Sequence, residues 1–121
     1  MKRLILLLVL LSGLAVVSSS SARAPVFAHA ARYSCGRIHV PGGVLAVTVM
    51  RGRVRCSTAR SIFVAFFNGK GQLHGPRNGP AYKQSWRIGR WSCGHGAGGG
   101  GCISGGASYK TARDWILAEE V

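Results

Sequence analysis

The residues of this 121-residue chain with chemistry to offer are four histidines, an alternating run of arginines and four cysteines. His74 and His95 stand in glycine-rich stretches. With an arginine to stabilise a charged, phosphorane-like transition state, a histidine pair suits a small cationic nuclease working by general acid–base catalysis. His39 lies in an alternating apolar segment, and His29 precedes it. No local feature holds the loop histidines to catalytic geometry. The only carboxylates are Asp114, Glu119 and Glu120, all near the C-terminal end, which leaves no second acid for a two-carboxylate hydrolase. The nuclease is therefore an alternative and not the leading expectation.

Arg51-Gly52-Arg53-Val54-Arg55 is the densest basic feature, with Arg60 close behind. On an extended backbone alternate side chains share a face, so three guanidinium forks would meet phosphate or carboxylate oxygens together. Arg87 and Arg90, interleaved with Trp86 and Trp91, form a second basic and aromatic cluster. The chain carries 16 Lys and Arg against 3 Asp and Glu, a formal charge of +13, and such a field draws polyanions. The expected binding residues are thus Arg51, Arg53, Arg55, Arg60, Arg87 and Arg90, and the expected partner is an anionic cell-surface polymer or an acidic protein. Two plainer explanations stand beside this. Arginine, alanine, glycine and valine are what a GC-rich genome supplies, and charged residues on a sheet edge discourage edge-to-edge pairing.

Cys35, Cys56, Cys93 and Cys102 are an even set. In an exported chain they are expected as two disulfides. Four cysteines allow three pairings; Cys35 with Cys56 and Cys93 with Cys102 is preferred, because each pair brackets a local strand or hairpin unit. Paired cysteines leave no thiol nucleophile. Cys93, His95 and Cys102 do not have the spacing of a zinc site. The run Gly94 to Gly101 lacks the Gly-Lys-Ser/Thr that opens a phosphate-binding helix, and the next lysine is Lys110. No metal and no cofactor are expected.

Export is read from the first thirty residues. Lys2 and Arg3 precede an apolar run from Leu4 to Val17, followed by the small polar stretch Ser18 to Ala22, the order of a secretory signal. The run would rise about 21 Å as a helix, short of a bilayer core of about 30 Å. Residues 1–30 are expected as a signal peptide cut after Ala22 or Ala30, leaving residues 31–121 as one small disulfide-bonded domain without a transmembrane anchor.

The elements that must position these residues follow from periodicity. Arg32 to Val40 reads as a strand, Pro41-Gly42-Gly43 as its turn, and Val44 to Met50 as a central strand apolar on both faces. From Ser57, the residues Ala59, Ile62, Phe63, Phe66 and Phe67 recur at helical spacing, with Ser57 or Thr58 as the cap and Asn68-Gly69 as the stop. Gly69 to Ala81 reads as an irregular surface loop, Lys83 to Cys93 as a strand, and the glycine run as a flexible connection. Cys102 to Ser104 and Tyr109 to Arg113 are weaker strands, and Trp115-Ile116-Leu117 is a last strand or short helix. The predicted fold is α+β, ββαββ-like: a small antiparallel sheet packed by one α-helix and stapled by two disulfides.

Cys35, then Cys56-Ser57-Thr58-Ala59-Arg60 at a helix start, then Trp91-Ser92-Cys93 and Cys102 resemble a recurring type of small secreted actinobacterial protein. The resemblance spans about Cys35 to Cys102. It implies the architecture and the secretion, and that group has no established activity to carry over. The leading functional expectation is a secreted, basic, non-enzymatic interaction domain. Besides the nuclease, a protease inhibitor presenting the Gly69 to Ala81 loop is the other alternative.

Overall fold

The segments on either side of Pro41 and Gly42 form an antiparallel hairpin, β1 (Tyr33–Val40), bulged between Ser34 and Arg37, and β2 (Gly43–Arg51), whose buried Leu45, Val47 and Val49 alternate, in a computed structural model that describes residues 32–80 and 83–121. The signal peptide assigned to residues 1–30, with its two cleavage sites, lies outside the described residues. The helix α1 (Cys56–Phe67) follows. Its buried residues Ala59, Ile62, Phe63 and Phe66 keep the i, i+3, i+4, i+7 spacing of one helical face. The start differs from expectation. Arg55 occupies the N-cap position without a side-chain hydrogen bond, and neither Ser57 nor Thr58 caps. The physical anchor is covalent, because the first helical residue, Cys56, is bonded to Cys35 of β1.

Five further strands follow among the described residues: β3 (Gln72–His74), β4 (Ser85–Ile88), β5 (Trp91–Gly96), β6 (Gly99–Ser104) and β7 (Asp114–Glu120). With β1 and β2 they make one seven-stranded antiparallel sheet in the order β1-β2-β7-β6-β5-β4-β3. The fold is α+β, with one helix on one face of the sheet. The core lies between them, where Leu45, Val47 and Val49 of β2, Ile116 of β7 and Trp91 of β5 meet Phe63 and Phe66. Cys93 and Cys102 are directly opposite each other on β5 and β6, and their disulfide is buried in the same core.

Four sequence expectations change. The stretch read as one long loop from Gly69 to Ala81 contains β3, which pairs with β4 from Gln72↔Arg87 to His74↔Ser85. Around β3 the described residues 69–71 and 75–80 are irregular, and in the second of these the Gln84 Nε2 donates to the carbonyls of Pro76, Arg77 and Gly79 at 2.9, 2.9 and 3.2 Å. Lys83 to Cys93 is not one strand, since a turn at Gly89 and Arg90 divides β4 from β5. Tyr109 to Arg113 is turn, with the Thr111 and Ala112 N–H groups bonded to the Ser108 carbonyl.

The largest change is the glycine run. It is a paired hairpin, with Gly94↔Gly101, His95↔Gly100 and Gly96↔Gly99 in register. Glycine gives this segment no β preference of its own. Its order comes from its neighbours, because the Cys93–Cys102 bridge pins one end and β7 hydrogen-bonds β6 along its whole length. Two of the glycines are required by close approach. A Cβ on Gly100 would lie 3.0 Å from Phe66 of the helix, and one on Gly99 would lie 1.9 Å from the Ala118 carbonyl oxygen. Gly99→Ala is therefore expected to part β6 from β7 and destabilise the domain by about 1–3 kcal/mol. Gly101→Ala, whose Cβ meets nothing nearer than 3.7 Å, should leave the melting temperature unchanged or slightly raised. Equal melting of the two variants would contradict this.

Candidate functional site

The antiparallel order brings distant pieces of sequence to one end of the sheet. At that end β1 begins, β2 finishes, β4 turns into β5 and β7 begins. It therefore carries Arg32, Arg51, Arg53, Arg55, Arg90 and Arg113. The helix also starts there, with no acidic residue in its first turn and unpaired N–H groups that favour an anion. The opposite end holds the free carboxylates, Glu119 and Glu120 at the close of β7. From Arg32 onward there are thirteen basic residues against three acidic ones, a net +10; Asp114 stands among the arginines, and Arg77 and Lys83, in the β3–β4 connection, lie toward the end that holds Glu119 and Glu120.

The expected binding residues divide by what they touch. Arg53 and Arg55 are exposed, and their side chains make no hydrogen bond or ion pair with the described residues. Their backbone is held by Tyr33, whose hydroxyl donates to the Val54 carbonyl and accepts from the Val54 N–H. Arg87 is likewise exposed and unpaired among the described residues, on the face of the sheet away from the helix, opposite Ser92. Arg60 is committed to the fold, its Nη1 donating to the Cys35 carbonyl at 3.2 Å.

Arg51 is committed as well, for a reason that alternation did not reveal. A bulge between Val49 and Arg51 sets Val49 opposite Ile116 but Arg51 opposite Trp115, which turns Arg51 onto the open face. Its Nη1 donates to the carbonyls of Tyr109, Lys110 and Ala112 at 3.1, 3.2 and 2.9 Å, and its guanidinium lies 6.0 Å from the Trp115 ring centroid. Arg51, Arg53 and Arg55 therefore do not present three forks in a row. Arg51 fastens the 105–113 loop instead.

Arg90 and Arg113 meet at Asp114, a carboxylate with 7% side-chain exposure. The Arg113 Nε and Nη2 donate to Asp114 Oδ2 at 3.1 and 3.0 Å, and Arg90 stands 3.8 Å from the same oxygen while lying over Trp91. One carboxylate thus fixes two guanidinium groups that remain about two-thirds exposed and keep a surplus positive charge. Arg113 carried no sequence signal beyond its adjacency to Asp114; only the strand order puts it beside Arg90.

Among the described residues the histidines are not gathered; His29 lies outside them. His74 is exposed on β3 opposite Ser85, and His39 is exposed on β1 opposite Val44. His95 lies in β5 and not in a loop, with its ring 4.4 Å from Phe66 and 5.7 Å from Phe67. None of these three imidazoles has a hydrogen bond or ion pair with the described residues, and no group of three or more His, Cys, Asp or Glu side chains converges among them.

A second concave feature lies on the open face, away from the helix. Its floor is Gly94, Gly96, Gly99 and Gly101, two directly paired couples on β5 and β6. Tyr109, Trp115, Leu117 and Glu119 form one side, Ser85 and Ser92 line the other, and the cavity volume is about 480 Å³. Tyr109 and Trp115 contact each other at 5.8 Å between ring centroids, and Tyr109 is 55% exposed.

Comparison with protein-family models, with curated proteins and with solved structures gives no match for this chain. Its class is therefore defined by its own geometry: a disulfide-stapled α+β domain with an arginine-bearing end.

Proposed function

We propose that the protein is a secreted, non-enzymatic binding domain whose arginine-bearing end docks on an anionic polymer at the cell surface. The observation that carries this reading is the convergence of Arg53, Arg55, Arg90 and Arg113 at the end of the sheet where the helix begins, with the free carboxylates held at the far end. Exposed guanidinium groups around a helix N-terminus bind oxyanions through charge-assisted hydrogen bonds without any rearrangement. Among the described residues the side chains of His39, His74 and His95 have no hydrogen-bond or ion-pair partner, so the arginine end is the feature on which this reading rests. The two disulfides suit an oxidising compartment.

The test is a titration with polyphosphate at several salt concentrations. Affinity is expected to fall linearly with the logarithm of salt, and Arg53→Ala with Arg55→Ala should lower that slope by about one for each arginine removed. The double variant should keep the melting temperature of the parent, because neither side chain is bonded to the described residues. Binding unchanged by the double substitution would remove the arginine end from consideration.

A further inference from the structure

Building on the anion-binding reading, we infer that the polymer is a polysaccharide and that a neutral sugar ring of it lies in the glycine-floored groove on the open face of the sheet. Glycine inside a strand weakens the strand, and it is retained where another backbone or a ligand approaches closely. Gly99 and Gly100 have internal reasons, given by Ala118 and Phe66. Gly94, Gly96 and Gly101 have none. A Cβ on Gly96 would meet nothing within 4 Å, one on Gly94 only the Gln84 carbonyl at 3.9 Å, and one on Gly101 only ordinary contacts from 3.7 Å outward. None of the three adopts a left-handed backbone conformation. Within the fold any of them accepts a methyl group; the space they keep open is on the outside.

The groups around that space match a sugar. The Trp115 Nε1, the Ser85 and Ser92 hydroxyls and the Glu119 carboxylate make no hydrogen bond with the described residues, and all belong to residues of the groove. The Tyr109 and Trp115 rings stand at its side, braced by the three hydrogen bonds of Arg51. A pyranose has an apolar C–H face for such rings and floor, and a rim of hydroxyls for the donors and acceptors. The volume of about 480 Å³ falls within the range of about 300–1,000 Å³ that small-ligand sites occupy.

Other polymers fit less well. β6 is paired on both sides and β5 is paired with β4 from Trp91 to Cys93, so an extended peptide finds at most the three-residue edge Gly94–Gly96 to join. A nucleic acid carries a phosphate at every residue, and Glu119 in the groove repels it. A polysaccharide in which neutral and acidic sugars alternate satisfies both regions. Its neutral ring rests beside Glu119, and its acidic groups reach the arginine end, which adjoins the groove at Tyr109 and Trp115.

The experiment titrates the full mature domain with three probes: hyaluronan oligosaccharides, which alternate N-acetylglucosamine with an acidic sugar; sugar-free polyphosphate; and single-stranded oligodeoxythymidylate. Gly96→Val and Gly101→Ala should preserve the melting temperature. They should weaken hyaluronan binding about tenfold and leave polyphosphate binding unchanged. Arg53→Ala with Arg55→Ala should weaken both. If the glycine variants bind hyaluronan as the parent does, the groove assignment is overturned while the anion reading stands. If they weaken oligodeoxythymidylate as much as hyaluronan, the occupant is a nucleic acid and the polysaccharide is excluded. If none of the probes binds the parent, both readings fall together.

Discussion

Replacing Phe63 with alanine is expected to destabilise the domain by about 3–5 kcal/mol. Phe63 is fully buried, on the face of α1 that covers the sheet, and its ring lies 6.1 Å from that of Phe67. Sheet residues Val47, Val49 and Ile116 are as completely buried, and α1 is the only helix among the described residues available to cover them. Truncation leaves a ring-sized void between two rigid layers. The helix is tethered at its first residue by a disulfide and the sheet is continuous, so neither layer can settle into the gap. Against a total stability of about 5–15 kcal/mol for a domain of this kind, the loss is a third or more. A fall in melting temperature exceeding about 12 °C is the readout. A shift of only a few degrees would show that Phe63 does not anchor the helix.

The second large effect is expected on replacing Cys35 and Cys56 together by alanine. The bridge closes a chain separation of 21 residues, and restricting that loop in the unfolded state contributes about 3 kcal/mol. It also holds the start of α1 against β1, the place from which Arg55 and Arg60 project. The double variant should therefore lose stability in urea and weaken polyphosphate binding at once. The Cys93–Cys102 bridge closes only 9 residues, so its entropic contribution is smaller. Both of its cysteines are almost fully buried beneath the helix, and its loss adds a packing defect in the core. Unchanged urea unfolding of the Cys35 and Cys56 variant would contradict the role given to the first bridge.

The charge distribution explains why the arginine end and the groove are distinguishable by experiment. Binding through guanidinium groups is salt-sensitive, whereas contact of a neutral ring with Tyr109, Trp115 and the glycine floor is not. High salt should therefore diminish the preference for any anion while leaving the difference between parent and Gly101→Ala intact.

By itself the sequence determined whatever depends on neighbours along the chain. The spacing of Ala59, Ile62, Phe63 and Phe66 is a helical period, Pro41-Gly42 makes a turn between two strands, and the preferred one of the three cysteine pairings, which joins cysteines flanking local units, is the one in the structure. The excess of arginine over carboxylate was equally plain. Tertiary structure alone decided the rest. Gly94 to Gly101 has no strand preference and becomes a hairpin because the Cys93–Cys102 bridge pins its base and β7 pairs with β6 along its whole length. Arg51 leaves the row of Arg53 and Arg55 because one extra residue in β2 shifts it opposite Trp115, and alternation counted along a single strand cannot register a slip against its partner. Arg90 and Arg113 become neighbours because β5 and β7 begin at the same end of the sheet and share the buried carboxylate of Asp114. Partners separated by tens of residues are chosen by the closing of the whole sheet, and no local pattern encodes that choice.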